Sequence, residues 1–489
     1  MNSVVAIVIC FSFFGQSPSL PSPVFPLEAG MAEVEITPPS GYPMAGYYHE
    51  RLATGKKDPL KAKAVVFRQG TTLGVIIVCD LTGISGDLSD FVRKSVSQKT
   101  GIPFENIALT GTHSHTAPDY SRDIHSWVTQ SPFPVGKPRH AEKMTGAIVS
   151  AALKAKDNLK PVKVESGTGI QKEPVSFHRR FVMRDGSVKT WMNLKNPEVV
   201  KAAGPIDPEI GLVRFSDSVN QKAIGLISNF ALHLDTVGGL EWSGDFPYFL
   251  EKASREALGS ETISLFGLGC CGNINHVNPF GEPVNKTPAI GRALSETLVK
   301  NLPSLSTILQ PQFRVVQKLV ELPLRSLDQG EVDRALKVLE LVDAKGKVDF
   351  LDHVAAYKIL IMNQFENPND PRNSKLGWGR SKKFAGVGKK LPVEVQVFAF
   401  GRDLAIVCLP GEVFVEHGLA IKAGSPFRTT MIFELSNVVE TAYIPTRGAY
   451  SQGGYEVVNS ITQPGAGEIL VEASLDLLRK AASQSPKMP

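Results

Sequence analysis

Seven stretches of the chain are apolar and rich in β-branched residues, each bounded by polar or turn-forming positions. They are AKAVVFR from Ala62, LGVIIVCDL from Leu73, NIALTGTH from Asn106, AIGLISNFALH from Ala223, TISLFGLGCC from Thr262, VEVQVFAFGRDLAIVCLPGE from Val393 and TTMIFELSN from Thr429. Runs of this length and composition predict strands. Between them the apolar positions recur at helical spacing: DLSDFVRKSVSQKTG with Asp87 as N-cap, RHAEKMTGAIVSAALKAKDNL, YFLEKASREALG, AIGRALSETLVKNL and GEILVEASLDLLRKAA. Strand–helix alternation over most of the length predicts an α/β fold of mixed β-sheets flanked by helices. Residues 327–390 break the alternation with a charged helical stretch and the polar run NQFENPNDPRNSK, and read as an insertion or lid.

The first long apolar run, MNSVVAIVICFSFFG, is too short to span a bilayer comfortably. With the Pro/Ser-rich join after it, residues 1–25 read as a secretory signal lacking a basic n-region, and the protein as exported, secreted or periplasmic. Residues 26–489 then form the catalytic domain. The cysteines beyond the signal, Cys79, Cys270, Cys271 and Cys408, show no disulfide framework. Hydrophobic residues make up 42% of the 489 and charged residues 21%, as in a folded protein with a sizeable core. The net charge of +5 is spread along the chain, so nucleic acid is not an expected partner. No segment reads as a protein-docking motif.

Chemistry-bearing residues sit where the apolar runs stop. GTHSHTAP carries two of the ten histidines, His113 and His115. On a strand they would share a face about 7 Å apart. His233 closes another run, CCGNINHVNP a third and Gly411-Glu412 a fourth, while AYIPTRGAYSQGGYE follows the fifth. A catalytic zinc takes about three N/O ligands and keeps one position open, and His113, His233 and Glu412 could supply them. There is no H-E-x-x-H, G-x-S-x-G or C-x-x-C, and no phosphate-cradling glycine loop.

Five of these segments, in order, resemble motifs of the neutral, non-lysosomal ceramidases. GTHSHTAP resembles their GTHTHSGP, and EAGMAEVEITPPSGYPMAGY their first strand and glycine-rich turn. FALHLDTVGGLEWSGDFPYF is similar to their second histidine region with its S-x-D element. LPGEVFVEHGLAIK resembles PGEFTTMSGRR, and LSNVVETAYIPTRGAYSQGGYE resembles LSNDYAGYITTREEYDAQRYE. The resemblance runs from about Pro26 to the C-terminus and implies a neutral-ceramidase-like catalytic domain. It implies Zn2+ held by His113, His233, Glu412 and Tyr443. His115 would act as proton donor beside the metal-activated water, and Arg179 (Arg180 in the alternative register) would stabilise the oxyanion. The structural alternative for His115 is a residue that only orients Asp245 or a loop.

Two departures stand out. Where the family motif GDVSPN carries a serine, this chain has Asn275, which can donate to an oxyanion but cannot be a nucleophile. The family's C-terminal immunoglobulin-like domain has no counterpart in this sequence. The implied activity is hydrolysis of an N-acyl amide bond, ceramide first, on a small lipid-like substrate met by peripheral contact with a membrane. The alternatives are a metal hydrolase of a non-lipid amide or ester, favoured by a narrow polar entrance, and a silent relative with a closed metal shell. Zn2+, Mn2+ and Fe2+ are not separated by such a donor set.

Overall fold

In the computed structural model, residues 25–281, 286–376 and 379–483 are described. The signal segment lies outside them except for Phe25. Eight main strands build the larger sheet: β1 (Glu28–Glu35), β2 (Lys61–Gln69), β3 (Thr72–Cys79), β4 (Ile107–Gly111), β5 (Lys160–Ile170), β6 (Glu209–Asp217), β7 (Ala223–Phe230) and β8 (Ile263–Leu268). Their order is β8-β7-β6-β5-β1-β2-β3-β4, and a short ninth strand, Ser306–Thr307, pairs with β5. A second sheet holds β9 (Phe313–Pro323), β10 (Lys390–Phe400), β11 (Leu404–Cys408) and β12 (Thr429–Phe433), in that order.

The two sheets pack face to face, and period-two alternation explains how. In β2, Val65 and Phe67 point into the seam between the sheets, while Ala64 and Val66 point to the outer helices. Both faces are buried, which is why these strands read as continuous apolar runs rather than as alternating ones. The outer face around β2–β4 is covered by α1 (Gly86–Thr100) and α2 (Ala141–Asp157), that around β6–β8 by α3 (Pro247–Leu258) and α4 (Thr287–Asn301). The outer face of the second sheet is covered by α5 (Gln329–Asp343), α6 (Phe350–Glu366) and α8 (Ala466–Ser483), with α7 (Val415–Gly424) between β11 and β12. The result is four layers, helix–sheet–sheet–helix.

All seven expected strand runs fall on strands, one of them on the β10–β11 hairpin. Asp87 is not the cap of α1: Ser85 accepts from Leu88 N at 3.3 Å. Asp87 sits in the first turn and accepts from the backbone N–H groups of Lys382 and Lys383, at 2.9 and 2.8 Å. It thereby ties the stretch around Lys382 to the larger sheet's helix layer. Residues 327–390 contain α5 and α6, joined to the core rather than standing off it. Cys79, Cys270, Cys271 and Cys408 are buried and unbridged. Among the described residues no helix is long and apolar enough to cross a membrane.

Phe67 stands at the centre of the seam, its ring 5.6 Å from Phe215, 5.3 Å from Phe313 and 5.0 Å from Phe400. Phe67→Ala should cost about 3–5 kcal/mol of unfolding free energy in urea titrations. Val219→Ala, on an exposed turn, should cost about 0.5 kcal/mol or less. Equal losses would show that the sheet–sheet seam is not the principal core.

Candidate metal centre

Among the twelve strands named above, three pairs are parallel: β3 with β4, β7 with β8, and β11 with β12. Each pair is joined by a crossover through α1, α3 or α7, so the carboxyl ends of all six strands carry connecting loops. Such ends are where sheet proteins place ligands. Here the loops from both sheets converge: His113 follows β4, His233 follows β7, Glu412 follows β11 and Tyr443 follows β12.

The H-x-H pair is not on the strand. β4 ends at Gly111, and His113 takes a left-handed backbone at φ 74°. The loop is held by His113 N–H donating to Leu81 O at 2.9 Å and His115 N–H donating to Leu234 O at 2.9 Å. The second bond pins this loop to that of His233. The two rings still meet, with centroids 4.8 Å apart, by turn geometry rather than by strand alternation. Gly46 makes this possible: its φ is 100°, and a Cβ there would lie 2.7 Å from the His115 side chain.

Backbone carbonyls set the histidine tautomers. His113 Nδ1–H donates to Thr82 O at 2.6 Å, and His233 Nδ1–H donates to Cys271 O at 2.9 Å. Each ring therefore presents an unprotonated Nε2 inward, as metal-ligating histidines do. His113 Nε2 lies 3.4 Å and His233 Nε2 3.2 Å from Glu412 Oε2, and Tyr443 Oη lies 3.3 Å from His233 Nε2. Ligands about 2.0–2.1 Å from one tetrahedral ion stand about 3.3 Å apart, so the spacing suits a small cation. Glu412 Oε2 is buried and has no hydrogen-bond partner among the described residues. An orphaned carboxylate oxygen between two imidazole lone pairs fits a metal ion.

Charge attraction couples the acid to the imidazoles. Burial alone would raise the Glu412 pKa, but His113 and His233 hold it well below the carboxylate range. Burial opposes charge on His113, yet Glu412 beside it lifts the pKa above the ordinary value. Burial and the Arg179 cation push His233 down to about 3.

His115 also belongs to the cluster, since His113, His115 and His233 bring their ring nitrogens within 4.8 Å of one another. His115 Nε2 is 3.3 Å from His113 Nε2. It lacks the carbonyl tether of the other two: its Nδ1 faces Asp235 Oδ1 at 3.5 Å without a hydrogen bond. Burial, then the neighbouring His113, hold its pKa well below that of free imidazole. The acid it faces is thus Asp235, which accepts from Tyr47 Oη at 2.5 Å. Asp245, at φ 62°, accepts instead from Thr236, Val237 and Phe246.

Arg179, not Arg180, reaches the centre. Its Nη1 is 3.3 Å from His233 Nε2, Nη2 donates to Gly272 O at 2.7 Å and Nε donates to Glu456 Oε1 at 2.8 Å. Burial disfavours its charge, but Tyr443 and Glu456 outweigh burial and lift its pKa above the ordinary value. Arg180 turns away to Gly453 O. Asn275 is not brought into this constellation: its Oδ1 accepts from Val277 N at 3.2 Å, within its own turn. Nearby, Asn273 accepts from Val415 N and donates to Glu416.

Sequence reasoning missed Glu456, the fully buried partner of Arg179, although it ends the quoted GGYE segment. It also missed Glu434. That side chain accepts from Cys271 N at 3.2 Å and from Val413 N at 2.7 Å, joining the His233 and Glu412 loops. A cavity of ≈ 200 Å³ opens onto the centre, lined by His113, His115, Glu412 and Tyr443 and also by Lys358 and Arg380. Tyr455 of the cavity lining forms an aromatic cluster with Trp191 and Phe350.

Residues 27–238 match the family model described as neutral/alkaline non-lysosomal ceramidase, N-terminal. No curated protein matches the chain. Among solved structures, neutral ceramidase from Pseudomonas aeruginosa has a TM-score of 0.66 at 19% identity, over 95% of this chain and 76% of that one. A ceramidase complexed with C2 gives 0.66 at 18% identity over the same shares. At these identities the likeness is one of fold, and it bears out the mixed sheets flanked by helices.

One buried acid in the cavity wall gives a pH test. Glu440 accepts from Gly86 N at 2.7 Å, and burial pushes its pKa up to about 7 from an ordinary 4.5. Between those values the folded protein binds the proton that the unfolded chain releases, so its contribution to stability falls as pH rises through this window. Glu440→Gln keeps an acceptor for Gly86 and cannot ionise. Unfolding free energies at pH 5 and pH 7 should therefore fall less in the variant, by up to about 1.4 kcal/mol per pH unit. Identical slopes would place Glu440 outside this role.

Proposed function

We propose, from the match of residues 27–238 to the model described as neutral/alkaline non-lysosomal ceramidase, N-terminal, that this chain is a zinc-dependent hydrolase of an N-acyl amide bond, with ceramide the first substrate to test. The observation that carries the reading is the convergence of His113 Nε2, His233 Nε2 and the unpartnered Glu412 Oε2. These three would hold the ion, with Tyr443 as the fourth donor. When bound, zinc lowers the pKa of water to about 7 and polarises a carbonyl.

The remaining work falls to the chain's own residues. Amide hydrolysis adds water across the C–N bond: the water oxygen goes to the acyl carbon, the C–N bond breaks, and the amine leaves with a proton. His115 is held neutral, so it suits first accepting a proton and then returning it to the leaving nitrogen. This amends the simple donor role. Arg179, kept charged and aimed by Glu456 and Gly272 O, would stabilise negative charge on the acyl oxygen. Asn275 takes no part in this scheme. A non-lipid amide remains the second reading, favoured by the charged side chains in the cavity wall. The centre opens onto that cavity, which argues against a closed, purely structural metal shell.

Metal content by mass spectrometry, with release of labelled fatty acid from ceramide, tests the assignment. Wild type should hold about one zinc per chain. His113→Ala and Glu412→Ala should lose both metal and hydrolysis. His115→Ala should keep its metal and lose about 10²–10⁴-fold in kcat. Loss of metal in His115→Ala with retention in Glu412→Ala would replace the donor set by the three histidines. No metal in wild type would end the mechanism.

A further inference from the structure

The amide-hydrolase reading leaves one acid of the cavity wall with half of its hydrogen-bonding capacity unused. Glu440 lines the cavity together with His113, His115 and Glu412, and is only 8% exposed. Val439 N–H donates to Ile84 O at 2.8 Å, so the segment carrying Glu440 runs beside the loop from Thr82 to α1. At one end of that loop Thr82 O holds the His113 ring. At the other, Gly86 N–H donates to Glu440 Oε1 at 2.7 Å. The acid thus shares the cavity with the metal ligands and stands one short loop away from them.

The helix accounts for one oxygen only. Gly86 opens α1, and its N–H is one of those a helix cannot satisfy from within. Oε1 meets it. Oε2 is buried and has no hydrogen-bond partner among the described residues. Such an atom is costly, and native interiors leave few of them. The polar groups nearby are already committed. Tyr120 Oη donates to Gly83 O at 2.7 Å and accepts from Ser85 N at 2.9 Å, while Asp87 is held by the backbone at Lys382 and Lys383. Among the described residues no cation forms an ion pair with Glu440. A partner for Oε2 has to arrive through the cavity.

The chemistry of that partner follows from the carboxyl itself. With its pKa pushed up to about 7 by burial, it is present near neutrality both as an acid that donates and as a carboxylate that accepts. A carbonyl oxygen suits only the acid, and an ammonium only the carboxylate. A hydroxyl both donates and accepts, and meets either form.

We propose that Glu440 is a specificity-determining residue whose Oε2 hydrogen-bonds a hydroxyl of the substrate, a contact that rests on the amide-hydrolase reading and lies outside the donor set of the metal. Because Gly86 fixes Oε1, the carboxyl is held in place and the hydroxyl must come to it. Glu440 therefore selects amides whose alcohol group reaches it while the scissile bond lies at the centre. An analogue without that hydroxyl leaves the buried oxygen unpaired and is rejected.

Three substrates with one short acyl chain in common test this on the full zinc-supplemented chain: ceramide and its 1-deoxy and 3-deoxy analogues. The assays run at pH 8, where the acid is mostly ionised. Wild type should lose about tenfold or more in kcat/KM on one deoxy analogue, which identifies the hydroxyl that is read. Glu440→Leu should narrow that ratio to within about threefold. Glu440→Gln keeps an acceptor for Gly86 N–H and puts a neutral NH2 where the charged oxygen stood. It should narrow the ratio about threefold or more, and it carries the test if the leucine variant fails to fold. An equal fall on all three compounds, with the ratio unchanged, would mark Glu440 as a helix cap alone and overturn the assignment. So would a wild type that does not discriminate, the result expected if an enclosed water serves Oε2. If nothing is hydrolysed, the amide-hydrolase reading fails, and the same ratios taken from Kd in titration calorimetry decide the contact. A ratio that narrows in the variants upholds it; an unchanged ratio, no ratio or no binding overturns it.

Discussion

Everything at the centre depends on holding two sheets in one register at their carboxyl ends. His113 and His233 come from the larger sheet, Glu412 and Tyr443 from the smaller, and the donor atoms must meet within 3.2–3.4 Å. The aromatic seam around Phe67 is non-directional and fixes only the distance between layers. Glu434 supplies the direction. Fully buried at the end of β12, it accepts from Cys271 N with one oxygen and from Val413 N with the other. Burial raises its pKa well above the ordinary value, so neutral pH need not force a second naked carboxylate beside Glu412. Two backbone amides from different loops are thereby locked to one side chain. The Glu412–Tyr443 strand pairing completes the join.

The same economy of charge governs the site itself. Glu412 is ionised and Arg179 charged, each in a place where burial alone would neutralise it, because each has a fixed counterpart: the histidines for one, Glu456 for the other. His115 has no such counterpart. Its facing acid is 3.5 Å away and already engaged by Tyr47, so burial wins and the ring stays neutral. Two imidazoles two residues apart thus acquire opposite tasks from second contacts alone. One is tethered by a carbonyl and suited to hold a cation, the other untethered and suited to move a proton.

The strands were legible because both faces are buried, leaving apolar runs that no helix period explains. The candidate metal ligands were legible through motif resemblance more than through spacing. The geometric argument for His113 and His115 was wrong in its premise, since β4 ends two residues earlier and the pair meets across a left-handed turn. Asp87 was misread because an acid near a helix start looks like a cap whether it bonds its own helix or, as here, the backbone at Lys382 and Lys383. Asn275 occupies the motif position of a serine, but position in a motif does not aim a side chain, and this one folds onto Val277 N. Glu434 left no signal at all: an acid inside TTMIFELSN is readable as a strand-end surface residue, and only the three-dimensional meeting of Cys271 and Val413 gives it a role.

Scaffold and cavity wall come from different parts of the chain. The two sheets and their loops place the donor atoms. Part of the wall comes from residues 327–390, where the chain departs from strand–helix alternation. A residue on that wall can change what enters without disturbing any tether of the centre, because α6 packs on the smaller sheet through Ala356, Leu360, Ile361 and Phe365.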